Sequence, residues 1–294
     1  MAIVTGTIET LKRLKETLHK KGITRFSSIG EIRTFLENYE SEKNDISNIV
    51  KITLDNEIDS LIQGNKYAIN MSDESLFFKI FYFLKIKIQS RKIESLKRNY
   101  SNVLQHRCSE ACERLEFTKN TVESLQTQVA GVIGENAVVN ELQKLSDNFY
   151  VINDFSRKFN PPIYNKKQKD RIFTVQIDHL LVCPSGVYVI ETKNWSAQSV
   201  ENQDLRSPVE QIKRTSFALF VLLNSRKNSG LARHHWGSKK IPIRNIIVMT
   251  NKAPKAEFNH VKVLALDNLN SYIQYFEETF SKFEVENIFN YLNK

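Results

Sequence analysis

The sequence predicts an α/β fold preceded by an all-α region, with the change near residue 126. Two observations support this division. Apolar residues recur at helical spacing through most of residues 1–125. Short runs rich in Val and Ile, typical of strands, begin only near residue 149 and alternate with helical stretches. We therefore expect a helical region over residues 1–125 and an α/β domain over residues 126–294.

The helical region shows start and stop signals. A first amphipathic stretch is expected to end at Gly22. Ser28 followed by Glu31 has the spacing of a capping box, and starts a second helix. A further helix is expected over 46–62, ending at Gly64.

A long helix is expected after this, because residues 72–129 contain neither Pro nor Gly. Its apolar positions are mostly three and four residues apart: Ile93, Leu96, Tyr100, Leu104, Cys108, Ala111, Leu115, Thr118, Val122, Leu125 and Val129. This spacing fits a coiled-coil seam between two copies of the chain. It equally fits a long helix packed on its own N-terminal neighbours.

Composition and hydropathy indicate the cellular compartment in which the protein is expected. The apolar stretch from Leu76 to Ile88 contains lysines and is too short to span a bilayer, so we expect a core helix or a contact face for a protein partner, and no membrane. Three Cys residues give no disulfide framework, and no signal peptide is visible, which favours the cytoplasm. Cys108 and Cys112 are one helical turn apart, and without further ligands they indicate a helix face rather than a metal site.

Near the start of the α/β domain, Gly131 and Gly134 are expected to interrupt the helical pattern. The expected strands are 149–152, 174–182, 187–192, 243–249 and 261–264. The expected helices are 135–145, 208–224, 269–280 and 285–292.

One predicted hairpin contains an unusual set of polar residues. Its turn is 183–186, which contains Pro and Gly. If Val182 faces Val187 across this turn, Asp178 lies opposite Glu191.

Lys193 follows Glu191 by two residues and so shares its face of the strand. The rest of the hairpin is apolar, and buried carboxylates are costly unless they are paired or bind a cation. Carboxylate oxygens suit Mg²⁺ or Mn²⁺, and Lys193 can hold an attacking water or neutralise charge at a phosphate. A buried ion pair without chemistry is the alternative.

Five motifs occur in order along the domain: Gly131-x-x-Gly134-Glu135, Gln176-Ile177-Asp178-His179, Pro184-x-Gly186, Val189-Ile190-Glu191-Thr192-Lys193-Asn194-Trp195 and Pro208-x-x-Gln211. Over about residues 126–250 the chain resembles the nuclease-related domain (NERD) family of the PD-(D/E)xK nuclease superfamily. The resemblance implies a PD-(D/E)xK-type core, a mixed central sheet flanked by helices.

The resemblance also implies roles for individual residues. Asp178, Glu191 and the accessory acid Glu135 would bind Mg²⁺ or Mn²⁺, Lys193 would adjoin the nucleophilic water, and Gln211 would lie near the site. An ordinary helix N-terminal Glu is the alternative for Glu135, and a surface Gln is the alternative for Gln211. Ser207 and Ala197 depart from the family pattern, which affects loop shape rather than the proposed ligands.

A formal net charge of +9 fits a nucleic-acid partner. Two basic runs flank the proposed site, and either could follow a phosphate backbone or be a solvated loop. The first contains Arg157, Lys158, Lys166, Lys167, Lys169 and Arg171, and the second contains Arg226, Lys227, Arg233, His234, His235, Trp236, Lys239 and Lys240. We also assign nucleic-acid contacts to Lys213 and Arg214, and base stacking to Trp195 and Tyr164. His179 is expected to be a packing residue.

The favoured function is a metal-dependent nuclease that hydrolyses DNA. The alternatives are a nucleic-acid-binding module that does not cut, and an interaction protein whose helical region controls the nuclease domain. By analogy alone, such a layout fits the effector of a bacterial antiviral defence system.

Overall fold

A computed structural model describes residues 1–74, 76–195, 205–225, 233–234, 237–238, 240–251, 254 and 257–294. For residues 73–74, 76–79, 81, 233–234 and 237–238 it describes the backbone alone. The chain divides into two compact units. The first, the sheet unit, comprises Met1–Lys20 and Gln126–Lys294, and the second, the helical unit, comprises Lys21–Leu125.

The sheet unit is built on a six-stranded mixed sheet. Its strands in spatial order are β1 (Ile3–Thr5), β2 (Tyr150–Asn165), β3 (Asp170–Cys183), β4 (Gly186–Lys193), β7 (Ile243–Met249) and β8 (Lys262–Ala265). Strands β2, β3 and β4 are antiparallel neighbours, whereas β1 pairs parallel with β2, and β4, β7 and β8 pair parallel in turn. A separate two-stranded ribbon joins β5 (Arg233–His234) and β6 (Gly237–Ser238).

Helices cover both faces of this sheet, as predicted. They are α1 (Glu9–Lys20), α5 (Gln126–Gln143), α6 (Arg206–Asn224), α7 (Leu269–Gln274) and α8 (Lys282–Leu292), with a 3-10 turn at Leu266–Asn268. One apolar core joins the sheet to α6 and α8, and the other joins it to α5 and α7. Helix α7 ends at Gln274, before the predicted Phe280, and the N–H groups of Thr279 and Phe280 donate to the Pro184 carbonyl at 2.8 and 2.9 Å.

The first twenty residues belong to the sheet unit, which differs from the expected division at residue 126. Strand β1 pairs with β2 through Ile3 and Tyr150, and α1 packs on α5. Leu14 and Leu18 of α1 are fully buried. A three-residue strand carries too little pattern to be recognised in the sequence, so the sequence does not distinguish residues 1–20 from the helices that follow.

Two expected helix boundaries at glycines are wrong. Gly131 and Gly134 lie inside α5, and Gly64 lies inside α2 (Ile29–Glu74). Glycine in a helix interior costs only about 1 kcal/mol relative to Ala, so flanking residues and packing decide whether the helix continues. At Gly134 packing also explains the glycine itself, because a Cβ there would lie 2.9 Å from the Asn194 Cβ.

The helical unit contains α2, α3 (Leu76–Arg98) and α4 (Tyr100–Ser124). Helix α2 packs against both α3 and α4. Leu115, on the predicted seam, packs in a cluster with Phe35 and Tyr39 of α2, and the Tyr100 hydroxyl donates to the Asp55 carboxylate at 2.6 Å. The predicted long helix is therefore divided in the structure, where α3 and α4 pack on α2, and association of two copies stays a prediction.

The apolar stretch at the start of α3 does not form a core helix in its described part. Its side chains at Ile80, Phe83, Leu84 and Ile88 are all exposed. A contact face for a protein partner therefore stays the prediction for this stretch. Within the described residues, none of the helices is long and apolar enough to cross a membrane.

Candidate active site

The predicted hairpin has the predicted register. Val182 pairs with Val187, and the pairing continues to His179 and Ile190, which brings Asp178 and Glu191 to adjacent positions on β3 and β4. The turn is tighter than expected, since Cys183 still pairs with Gly186. Gly186 has φ +132°, and a Cβ there would lie 2.7 Å from the Pro242 carbonyl oxygen. Glycine is therefore required at this turn.

Glu191 and Lys193 share one side of β4. The Lys193 Nζ donates to the Glu191 Oε1 at 2.7 Å, and Glu191 is only 8% exposed. The Asp178 Oδ2 accepts the Thr192 backbone N–H at 2.8 Å, which fixes this carboxylate beside the end of β4. Both hairpin acids and the lysine are thus brought together.

Helix α5 brings a third acid to the same place. Glu135 follows Gly134, whose missing side chain allows close approach to Thr192 and Asn194. The Asn194 Nδ2 donates to the Ala130 carbonyl, and so ties α5 to the residue that follows β4. This role of Asn194 could not be predicted from its place in a motif.

Glu135 is held by a residue from the N-terminal helix. The Thr10 Oγ1 donates to the Glu135 Oε2 at 2.9 Å. This contact joins residues 125 positions apart in the chain, and sequence reasoning missed it. Neither partner carries a local pattern that points to the other.

Burial and neighbouring carboxylates raise the pKa of two of these acids. Burial, and then the nearby carboxylates of Asp154 and Glu191, raise the pKa of Glu135 to about 7 although its hydrogen bond from Thr10 acts the other way. Burial, and then the Glu191 charge, raise the pKa of Asp178 to about 7. Both groups therefore titrate near neutral pH, and their ionised forms need a nearby cation.

The donor types fit a hard divalent cation, but the side chains do not converge. Glu135, Asp178 and Glu191 offer only oxygen ligands, the kind that Mg²⁺ prefers. Among the described residues, no three His, Cys, Asp or Glu side chains are arranged to hold a metal ion. The hydrogen bonds of Glu191 to Lys193 and of Glu135 to Thr10 direct oxygens of two of these acids to other partners.

A fourth carboxylate lies next to this group. Asp154 is adjacent to Asp178 across the β2–β3 pairing, lies between two paired positions, and has φ +48°. Its Oδ1 accepts from the Gln176 Nε2 at 2.6 Å. A non-glycine residue in the left-handed region is uncommon and often marks a functional site. The sequence offered no signal for Asp154 beyond its place after a short apolar run.

His179 is a packing residue, as expected. It is fully buried, and its Nδ1 lies 2.8 Å from the Asn153 Oδ1. Burial lowers the pKa of the imidazole to about 3, so it is neutral at physiological pH.

The other predicted site residues are not hydrogen-bonded to these acids among the described residues. Gln211 is exposed on α6, and its side chain makes no hydrogen bond with a described residue. Trp195, which follows β4, is partly buried against the core that contains α6 and α8. The Arg214 Nε donates to the Asp170 Oδ2 at 2.5 Å, and the Lys213 Nζ donates to the Glu210 Oε1 at 3.3 Å.

The first basic run lies on a hairpin rather than on a loop. Arg157 and Lys158 belong to β2, and Arg171 belongs to β3. The turn between Asn165 and Asp170 contains Lys166, Lys167 and Lys169, and the strand pairing is also irregular between Lys158 and Ile163. Of the second run, Lys240 alone has a described side chain, so that prediction falls largely outside the described residues, as does Ala197.

Residues 130–250 match the family model of the nuclease-related domain. The match contains Glu135, Asp178, Glu191 and Lys193, and excludes Thr10 and the helical unit. The NERD domain belongs to the PD-(D/E)xK-like nuclease superfamily, and the match indicates a nuclease-like function for this part of the chain. No curated protein matches the chain.

Proposed function

We propose, on the premise that residues 130–250 are a nuclease-related domain, that the chain hydrolyses phosphodiester bonds of DNA with a divalent metal ion. We further propose that its core is of the PD-(D/E)xK type. Glu135, Asp178, Glu191 and Lys193, called the acid centre below, would carry the reaction, with Gln211 as an accessory residue.

One observation supports this proposal above the others. Two carboxyl groups from different parts of the chain, Glu135 and Asp178, have their pKa raised to about 7 in the company of Glu191. A buried ion pair accounts for Glu191 and Lys193, but it leaves Glu135 and Asp178 without a cation of their own. Burying ionised acids without a cation costs folding free energy, so a buried group of acids is expected where a metal ion binds.

Glu135, Asp178 and Glu191 are the residues that would hold Mg²⁺ or Mn²⁺. When bound, such an ion polarises a phosphoryl oxygen and lowers the pKa of a coordinated water. Lys193 would hold the attacking water and stabilise negative charge on the phosphate.

Cleavage assays test this function directly. Supercoiled plasmid, linear duplex and single-stranded DNA are incubated with Mg²⁺, Mn²⁺ or EDTA, and with the wild type or Lys193→Ala. We expect cleavage that needs the metal and disappears in the variant. Equal cleavage by the variant would assign the activity to another site or to a contaminant.

A second function, nucleic-acid binding without cleavage, is favoured by the lack of convergence among the described acids. In the same assays it predicts no cleavage by either protein in any metal. DNA binding that weakens with salt would then be the remaining activity.

A further inference from the structure

Two clefts in the sheet unit share part of their lining, and together they are called the trough below. The first has a volume of about 840 Å³ and extends along α6 to Arg244 and Lys262. The second, of about 570 Å³, extends to Tyr164, Lys166 and Lys167 at the tip of the β2–β3 hairpin. Both are lined by Lys213, Phe217 and His260, so one elongated ligand can occupy the two.

The trough is strongly cationic. Five basic side chains and His260 line it, and none of its described lining residues is Asp or Glu. The basic residues are Lys166, Lys167, Lys213, Arg244 and Lys262. Glu210 forms an ion pair with Lys213 at 3.3 Å, whereas Lys166, Lys167, Arg244 and Lys262 form none with a described carboxylate. This charge distribution fits a polyanion.

Aromatic rings are interleaved with these cations. Tyr164 is 52% exposed and Phe220 is 40% exposed, although both are large side chains that burial would stabilise. The Arg244 guanidinium lies 3.8 Å from the Phe276 ring centroid, and it also donates to the Ser185 carbonyl at 2.7 Å. Basic groups at intervals along aromatic rings are the arrangement that binds unpaired bases and their phosphates.

The trough is separate from the acid centre in its lining. Glu135, Asp178, Glu191 and Lys193 line neither cleft. Three of its members, Arg244, His260 and Lys262, were not among the residues expected to contact nucleic acid, and two of these, His260 and Lys262, lie beyond the family match.

We propose that this trough binds a single-stranded segment of nucleic acid, with phosphates on its lysines and bases stacked on Tyr164 and Phe220. The proposal takes from the proposed function only that the substrate is a nucleic acid. A paired base has no free face for these rings, so we expect the trough to discriminate against duplex.

The test measures binding by the full chain in EDTA, where metal-dependent cleavage does not occur. Fluorescence anisotropy gives the Kd for labelled oligothymidylate and for a blunt duplex of equal length. We expect Tyr164→Leu to weaken oligothymidylate binding about tenfold and to leave duplex binding unchanged, because stacking on a ring needs an unpaired base. Tyr275→Leu is the matched control, since Tyr275 is 81% exposed and lies outside the trough.

A charge substitution provides a second measurement. Lys262→Gln is expected to reduce the slope of log Kd against log salt for oligothymidylate by about 0.7, the value for one lost phosphate contact on a single strand. Lys15→Gln, at an exposed position of α1, is expected to leave the slope unchanged. Circular dichroism confirms that each variant is folded.

The trough proposal is overturned if Tyr164→Leu leaves the oligothymidylate Kd unchanged, if it weakens duplex binding equally, or if Tyr275→Leu has the same effect. Its failure is distinguishable from failure of the proposed function. Cleavage that needs Mg²⁺ together with an unaffected Kd rejects the trough alone. Tyr164-dependent binding without any cleavage rejects the nuclease alone.

Discussion

The acid centre and the trough are oppositely charged parts of the same sheet unit. In the acid centre, the carboxyl groups of Glu135 and Asp178 are buried enough to raise their pKa to about 7. In the trough, described cations line a surface without a carboxylate. A polyanion is attracted to the trough and repelled by the ionised acids. The trough is therefore suited to holding a phosphate backbone. The acid centre needs a bound metal ion before a phosphate can approach it.

Kinetics should show the largest difference between these regions. We expect Lys193→Ala to lower kcat by about 10²- to 10³-fold, the usual effect of losing one group that stabilises charge in a transition state. Lys262→Gln should raise KM and leave kcat unchanged, because it removes binding that is equal in ground and transition states. Steady-state cleavage of a labelled oligonucleotide measures both. A fall in kcat for Lys262→Gln would show that the two regions are not functionally separate.

Substitution of Thr10, which contacts Glu135, tests whether the first helix is part of the acid centre. Thr10→Val removes the hydroxyl that donates to the Glu135 Oε2 and keeps the shape of the side chain. We expect the Mg²⁺ concentration for half-maximal cleavage to rise about tenfold, as for other groups that orient metal ligands. Thr10→Ser keeps the donor and should restore the wild-type value. An unchanged Mg²⁺ requirement in Thr10→Val would limit α1 to a packing role.

The two glycines of α5 should respond in opposite directions. At Gly134 a Cβ would lie 2.9 Å from the Asn194 Cβ, so we expect Gly134→Ala to lower the free energy of unfolding by about 1–3 kcal/mol. At Gly131 nothing lies within 4 Å of a Cβ, so Gly131→Ala should raise it by about 0.5–1 kcal/mol. Urea unfolding measures both. Stabilisation by Gly134→Ala would contradict the close approach of α5 to the end of β4.

Titration of the buried acids should appear in the pH dependence of stability. The pKa of Asp178 is raised to about 7 in the folded protein, so the folded state binds protons more tightly than the unfolded state. The stability of the wild type should therefore fall as pH rises from about 4 through 7. Asp178→Asn keeps an acceptor for the Thr192 N–H and removes the charge, and should be more stable by about 1 kcal/mol at pH 8 in EDTA.

Thermal unfolding at pH 5 and pH 8 measures this difference, which should shrink at pH 5. Asp147→Asn is the control, because Lys282 lowers the pKa of the exposed Asp147 and its substitution should not stabilise the protein at either pH. Equal stability of Asp178→Asn and the wild type at pH 8 would show that the Asp178 carboxylate carries no uncompensated charge.

The hairpin could be predicted because its signals are local. The turn at Pro184 to Gly186 and the apolar runs on both sides fix the register of Val182 with Val187, and the register in turn places Asp178 beside Glu191. Strand β7 has the predicted bounds, Ile243–Met249, for the same reason. Glu135 was singled out through the family resemblance rather than through its own pattern.

The rest of the site depends on contacts between distant parts of the chain. Thr10 reaches Glu135 only because β1 adds to the sheet edge and α1 packs on α5. Gly134 was interpreted as a helix break, since a sequence does not show which surface a helix will approach. The trough combines the β2–β3 tip, α6 and the segment before β8, and no spacing in the sequence links these three.

Metal binding tests the central claim most directly, because the claim is that Glu135, Asp178 and Glu191 hold a divalent cation. Isothermal titration calorimetry of Mn²⁺ into the wild type and into Asp178→Asn at pH 7.5, without nucleic acid, measures it. We expect saturable binding to the wild type that is lost or weakened at least about tenfold in Asp178→Asn. Absence of Mn²⁺ binding to the wild type, or equal binding to both proteins, would contradict it.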